Sequence, residues 1–191
     1  MTKYSLSGLE RLLLGGGVKA DSDDSVVHRP DICGDIDIRI ARDGTWYYLG
    51  SPIGRKPLVK LFASVLQRDA SGDFWLITPA EMCRISVDDA PFIAVEMSIE
   101  SKERGQVLRF RTNIGEVITA GPDHAIRVAI DRQTGEPAPY IMVRDGLEAL
   151  IVRSVFYEMV EFGEERCING KATLTIRSNG VVFEIGPLDD A

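Results

Sequence analysis

Arg55 and Arg144 are candidates for binding an anion. Each lies at the end of a strand-like run that is followed by an amphipathic segment. Arg55 is followed directly by Lys56, and Arg144 is followed four residues later by Glu148. Leucines recur three and six residues after each arginine, at Leu58 and Leu61 and at Leu147 and Leu150. A guanidinium group binds phosphate or carboxylate through paired hydrogen bonds, and a helix N-terminus also favours negative charge. The pattern predicts two related strand–arginine–helix units that hold an anion. The alternative is ion pairing, of Arg144 with Asp145 or Glu148 and of Arg55 with a carboxylate of the other half.

A second set of arginines lies on predicted strands. Arg109 and Arg111 are two residues apart, so their side chains share one face of a strand, and Arg127 on a nearby strand is placed to join them. A basic face is the usual requirement for nucleic-acid binding. The whole chain carries a net charge of −7, however, which repels polyanions. Nucleic-acid binding is therefore an alternative function, and a solvated basic face is the simpler interpretation.

Trp46 and Tyr48 are also two apart on a predicted strand, so both rings point to the same side. If the isoleucines at 36, 38 and 40 face the core, these rings form an exposed patch suited to a protein partner. Burial is the alternative, because tryptophan in a small domain is usually part of the core. Both rings join the candidate binding residues.

Catalytic and metal-binding side chains form no recognisable set in the sequence. His28 and His124 are far apart, and neither has a histidine or cysteine at metal-ligand spacing. A Cys33 thiol beside a histidine, or the acids Asp35 and Asp37 on one strand face, leaves a small enzyme open as an alternative. We assign no catalytic residue, no metal and no cofactor.

The number and spacing of the cysteines help to indicate the cellular compartment of the protein. Three widely spaced cysteines, Cys33, Cys83 and Cys167, resemble neither a disulfide framework nor a zinc motif. We interpret them as reduced, mostly buried thiols. The sequence shows no secretory leader, and the leucines at 12–14 are too few to span a bilayer. These features favour a cytoplasmic protein without a transmembrane segment.

The residue patterns predict an α+β chain rather than a doubly wound α/β one, because hairpins are frequent and helices few. The predicted order is strand, strand, helix, strand, a β-rich meander bent like a partial barrel, then strand, helix, strand, strand. A short helix is predicted from residue 7, a second from about 55 to 67, and the longest from 147 to about 162. Asp43-Gly44 and Asn179-Gly180 are hairpin-turn signals.

The 191 residues suffice for one large or two small domains. The composition is that of a globular protein, with 45% hydrophobic residues. Because the pattern changes from mixed to β-rich near residues 88–91, we predict an N-terminal α+β domain over 1–88 and a C-terminal β-rich α+β domain over 89–191.

Several short motifs together resemble domain-of-unknown-function family 1285, a family of uncharacterised bacterial proteins. They are Cys33-Gly34-Asp35-Ile36, Asp43-Gly44-Thr45-Trp46, Pro52-Ile53-Gly54-Arg55, Leu61-Phe62, Thr78-Pro79-Ala80-Glu81, and Leu147-Glu148-Ala149 with Arg153 and Tyr157. The resemblance implies two duplicated α+β halves, a loose pleckstrin-homology likeness of the C-terminal half, and binding at the junction of the halves, in the setting of signal transduction. It implies no known reaction and assigns no site residue. One departure is that a pleckstrin-homology fold ends in its helix, whereas two strands are predicted to follow residue 162.

The function class favoured by these patterns is a cytoplasmic binding or adaptor protein that recognises a protein or a small anionic ligand between its halves. Its candidate binding residues are Arg55, Lys56, Arg144, Glu148, Trp46, Tyr48, Arg109 and Arg111. A small enzyme with a carboxylate or thiol site is the first alternative, and nucleic-acid binding is the second. The sequence leaves the oligomeric state open.

Overall fold

Strands dominate the described part of the chain, which in this computed structural model comprises residues 31–102, 105–131 and 134–188. The first half holds β1 (Asp31–Ile40), β2 (Trp46–Tyr48), β3 (Ser51–Pro52), α1 (Lys56–Ser64), β4 (Leu66–Arg68), β5 (Phe74–Ile77) and β6 (Glu81–Val87). The second holds β7 (Phe92–Lys102), β8 (Gly105–Thr112), β9 (Val117–Thr119), β10 (Ile126–Ile130), β11 (Pro137–Arg144), β12 (Leu147–Ile151), α2 (Arg153–Glu161), β13 (Glu164–Ile168), β14 (Lys171–Ser178) and β15 (Val181–Pro187). The predicted α+β class is therefore confirmed.

The chain divides into two compact units. Unit 1 contains residues 31–39 and Thr45–Val87, and unit 2 contains Ile40–Gly44 and the described residues from Asp88 onward. The predicted division at residue 88 remains a proposal about independent domains.

Unit 1 is built on a six-stranded sheet with the strand order β3-β2-β1-β6-β5-β4. Alternation along β1 buries Ile38 and leaves Asp37 and Arg39 exposed, as the sequence predicts. The helix α1 begins and ends close to its predicted bounds, with Pro57 in its first turn, where the missing N–H is harmless. It buries Phe62, whose ring stacks on Trp46 with the ring centres 6.1 Å apart.

The expectation of three reduced, mostly buried thiols is wrong in two respects. Cys33 on β1 and Cys83 on the neighbouring strand β6 form a disulfide, with their Cα atoms 5.2 Å apart. Cys167 is free, as expected, but exposed. Sequence spacing missed the pair because the two cysteines are 50 positions apart and the chain between them folds back to place β1 beside β6.

Unit 2 contains a six-stranded sheet, β10-β11-β12-β7-β8-β9, and a three-stranded sheet, β13-β14-β15. The larger sheet is antiparallel except where β12 pairs in parallel with β7. Four strand spacings, together about 19 Å on a flat sheet, separate β11 from β9. An ion pair nevertheless joins Arg144 at the end of β11 to Glu116 just before β9. The sheet is therefore curled, in agreement with the predicted partial barrel.

The second helix does not begin at Leu147 as predicted. Residues 147–151 form β12, and α2 begins only at Arg153. Leu147, Ala149 and Ile151 alternate into the core, so the same leucine spacing fits a period of two. The preceding Asp145 and Gly146 both have positive φ, at 36° and 78°, which is the geometry of a tight hairpin turn.

This correction removes the second strand–arginine–helix unit, because Arg144 ends a strand that turns back into another strand. Neither the duplication nor the pleckstrin-homology likeness is confirmed.

The remaining predictions about secondary structure have separate outcomes. The Asn179-Gly180 turn is confirmed, with positive φ at both residues. The helix predicted from residue 7 lies outside the described residues. In the part of the chain that the structure describes, no helix is both long and apolar enough to cross a membrane.

Candidate functional site

Arg144, one of the predicted site residues, lines a cleft. The cleft belongs to unit 2 and has a volume of about 450 Å³. Its polar lining comes from Glu116, Thr119, His124 and Arg144, and its apolar lining from Val117, Ile118 and Val143. We call it the Arg144 cleft; its two charged side chains come from segments 28 residues apart that the curled sheet brings together.

The guanidinium of Arg144 is held on two sides. Its Nη1 donates a hydrogen bond of 2.6 Å to Oε1 of Glu116, and its central carbon lies 5.3 Å from the ring centre of Phe92. Both charged side chains keep substantial exposure, 31% for Arg144 and 40% for Glu116. Arg144 therefore pairs with Glu116 across the curled sheet, a partner that the sequence did not suggest, and Glu148 pairs with Arg127.

His124 also lines the cleft, and a contact with the backbone orients its ring. Its Nδ1 lies 3.0 Å from the carbonyl oxygen of Met142. A carbonyl oxygen only accepts, so Nδ1 carries the proton and Nε2 of the neutral ring keeps its lone pair. Sequence reasoning missed Glu116 and His124 as site residues because no local motif joins them to Arg144.

Glu148 lies away from this cleft and pairs with Arg127 on β10. Its two carboxylate oxygens accept hydrogen bonds of 2.6 Å each from Nε and Nη2 of Arg127. The same guanidinium stacks over the Tyr140 ring at 4.2 Å. These bonds to Glu148 raise the pKa of Arg127. Arg144 and Glu148 therefore have different partners, and Glu148 does not line the Arg144 cleft.

Arg109 and Arg111 do share a face of β8, but carboxylates of β7 neutralise both. Arg111 pairs with Glu96, the residue directly opposite it in the register, and Arg109 pairs with Glu100 at 2.8 Å. Arg127 does not join them, because β11, β12 and β7 separate its strand from β8. The basic patch on which the nucleic-acid alternative depended is therefore not formed by these three arginines.

The two aromatic candidates differ in burial. Trp46 is only 2% exposed, so the alternative of burial is confirmed and Trp46 does not belong to an exposed aromatic patch. Its indole nitrogen has no hydrogen-bond partner among the described residues. Tyr48 is half-buried, and its role in binding stays a prediction.

Arg55 and Lys56 are exposed at the beginning of α1. Arg55 is the N-cap residue, no side chain caps the helix, and the first turn contains no acidic residue. The geometry matches the electrostatic argument made from the sequence. The anion site at this helix start stays a prediction.

Cys33 and Asp35, two of the side chains on which the enzyme alternative depended, are bonded to other residues. Cys33 is bonded to Cys83, so it offers no thiolate nucleophile in this form. Asp35 accepts two hydrogen bonds from Arg84, at 2.6 and 3.0 Å, which lower the pKa of its carboxyl group. His28 lies outside the described residues. Across residues 31–102, 105–131 and 134–188, no three His, Cys, Asp or Glu side chains converge as metal ligands would.

A feature that the sequence did not reveal is an apolar groove in unit 2, with a volume of about 870 Å³. Its walls come from β10, α2 and the three-stranded sheet. Its main apolar side chains are Val128, Ile130, Phe156, Val160, Leu174 and Ile185. Ile130 is 62% exposed and Val160 is 38% exposed, so both present apolar surface to a partner. We call this feature the unit 2 groove.

Comparison with known families and structures gives consistent results. Residues 27–90 match "Domain of unknown function (DUF1285), N-terminal domain", and residues 91–185 match "Protein of unknown function (DUF1285), C-terminal domain". The crystal structure of a DUF1285 family protein from Silicibacter pomeroyi DSS-3 is 44% identical in sequence, with a TM-score of 0.81 over 97% of this chain and 98% of that one. A DUF1285 family protein from Shewanella baltica OS155 is 26% identical, with a TM-score of 0.52 over 66% of this chain and 91% of that one. A search of curated proteins finds no match.

Proposed function

The chain belongs to the DUF1285 family, and we propose that this member is a protein-binding module whose unit 2 groove receives an apolar segment of a partner. The observation that carries the proposal is the exposure of Ile130 and Val160 in one continuous apolar groove. Full burial of an isoleucine side chain contributes about 1.5–3 kcal/mol, so covering such residues is a sufficient driving force for a modest interaction.

Charge indicates the chemistry of the partner. The elements that line the groove carry five exposed carboxylates, Glu158, Glu161, Glu164, Glu165 and Glu184. The basic residues on the same elements are Arg127, Arg153, Arg166, Lys171 and Arg177. Arg127 pairs with Glu148, Arg153 with Glu136 and Arg166 with Glu164. Among the described residues, ion pairs engage three of these five basic residues but only one of the five carboxylates, so the charge left for a partner is mainly negative, in keeping with the net charge of −7. We propose that the partner segment carries apolar side chains flanked by lysine or arginine.

A cytoplasmic adaptor role in signalling belongs to the same proposal. A modest groove with an acidic rim suits a transient partner, since charge complementarity chiefly raises the association rate. The Cys33–Cys83 disulfide is of a kind rare in reducing compartments, so the cytoplasmic location has to be tested through its redox state.

The first test measures peptide binding by fluorescence anisotropy. The probe is a labelled peptide with a central run of leucine and valine and lysines at both ends. We expect Ile130→Glu and Val160→Glu to weaken its binding roughly tenfold or more, because each places a carboxylate on the apolar wall. The same apolar run flanked by glutamates should bind at least about tenfold more weakly.

Val117→Glu is the matched control, because Val117 on β9 is also 62% exposed but does not line the groove. This variant should bind the lysine-flanked peptide as the unaltered protein does. Equal losses in Val117→Glu and Ile130→Glu would contradict the proposed site. Undiminished binding of the lysine-flanked peptide by Ile130→Glu would also contradict the proposed site.

A further inference from the structure

We propose that the Arg144 cleft binds a small zwitterion with an aliphatic side chain, of which the free amino acid leucine is the simplest representative. This inference goes beyond the proposed function, since the cleft and the unit 2 groove have no lining residue in common. It rests on the opposite charges of Glu116 and Arg144, on the acceptor nitrogen of His124 and on the apolar wall beside them.

The charge pattern selects a ligand that carries both signs. Glu116 and Arg144 lie side by side, joined by a bond of 2.6 Å between Oε1 and Nη1. A simple anion attracted to Arg144 would meet the repulsion of Glu116, and a simple cation would meet the repulsion of Arg144. A zwitterion satisfies both, with its carboxylate on the guanidinium and its ammonium on the carboxylate.

Opening the existing ion pair costs little. Both side chains are partly exposed, and partly exposed pairs contribute little net stability because solvent screens them. The charge-assisted hydrogen bonds that a ligand would form are stronger than neutral ones. A guanidinium has five N–H donors in a planar fork, so Arg144 can take a ligand carboxylate while keeping other contacts.

His124 and the apolar wall define the rest of the ligand. The lone pair on Nε2 of His124 accepts a hydrogen bond, which an ammonium or amine N–H supplies and a carboxylate does not. Val117, Ile118 and Val143 offer apolar surface for a hydrocarbon side chain. The volume of about 450 Å³ lies within the range of small-molecule sites.

Isothermal titration calorimetry on the full chain tests the ligand class with three compounds of similar shape. They are leucine, 4-methylpentanoate, which lacks the ammonium group, and 3-methylbutylamine, which lacks the carboxylate. We expect leucine to bind and each analogue to bind roughly tenfold more weakly or worse, because each leaves one charge of the cleft without its partner. No leucine binding at millimolar concentration, or equal binding of either analogue, would overturn the proposal.

The residue assignment is tested with Glu116→Gln and Arg144→Gln. Each should lower leucine affinity about tenfold or more. The matched control is Glu148→Gln, which removes a carboxylate–arginine pair from the same sheet but away from the cleft and should change leucine affinity less than about twofold. An unchanged leucine affinity in Glu116→Gln would contradict the assignment of Glu116 to the binding site.

Because a cleft variant that folds poorly would also lose leucine binding, a proton NMR measurement is made with the cleft residues unchanged. The sequence has two histidines, so His28→Asn leaves His124 as the single imidazole signal in a proton NMR spectrum. Leucine should shift this signal, and an unshifted signal at saturating leucine would place the ligand elsewhere. Ile130→Glu should retain leucine binding while losing the peptide, so failure of this proposal and failure of the protein-binding proposal are distinguishable.

Discussion

At the scale of single residues, the side chains with the clearest electrostatic signatures are held by partners distant in sequence. Tyr140 donates a hydrogen bond of 2.8 Å to Asp89, and Arg42 pairs with the same carboxylate at 3.2 Å. Arg84 similarly holds Asp35, 49 residues away. None of these pairs follows a local motif, so the sequence showed the charges without showing which of them meet.

Tyr140 gives a prediction at this scale. Burial, followed by the nearby Asp89 carboxylate, raises the pKa of its phenol to about 12. The folded protein therefore keeps this proton at a pH where the unfolded chain releases it. The corresponding stability is fully present below about pH 10, the ordinary tyrosine value, and is lost as the pH rises towards 12.

An absorbance titration of the phenolate checks this expectation. Tyr140→Phe should abolish the ionisation step near pH 12, whereas Tyr157→Phe, at a residue that is 54% exposed, should keep it. A step that survives in Tyr140→Phe would refute the assignment.

At the scale of elements, the turn before β12 decides the structure of the following residues. Asp145 and Gly146 adopt positive φ and send the chain back along β11 as a strand. A helix beginning at Leu147 would lose the pairing of β12 with both β11 and β7. Turn geometry and central sheet pairing therefore outweigh the helical spacing of the leucines.

Gly146→Ala tests the importance of this turn. An L-residue at a φ of 78° costs about 1–2 kcal/mol, so we expect the free energy of unfolding to fall by that amount. Denaturant unfolding gives the value. Gly186→Ala in the same unit is the control, because an added Cβ there meets open space and the φ of Gly186 is not positive. Similar losses in both variants would contradict the turn argument.

At the scale of the whole molecule, a disulfide contributes to the stability of the fold and the net charge influences which partners bind. The Cys33–Cys83 disulfide closes a loop of 50 residues in unit 1. In the chain-entropy account, a loop of that length stabilises the folded state by about 4 kcal/mol. The acidic surface, with a net charge of −7, favours basic partners and disfavours polyanions.

Reduction should therefore lower the melting temperature, and Cys33→Ser should lower it similarly, whereas Cys167→Ser should not. Thiol labelling of the native oxidised protein should modify Cys167 alone, and reduction followed by denaturation should expose all three cysteines. A melting temperature that does not respond to reductant would contradict this role of the disulfide.

The sequence by itself determined the family, the α+β class and most strand positions, because strand alternation and tight turns are local properties. Ile38 points into the core and Asn179-Gly180 turns the chain for reasons contained in a few neighbouring residues. Only the tertiary structure decided that Arg144 meets Glu116, that Trp46 is buried, and that Ile130 opens onto a groove. These outcomes depend on strand order and sheet curvature, which bring together residues far apart in the chain, and no local spacing encodes them.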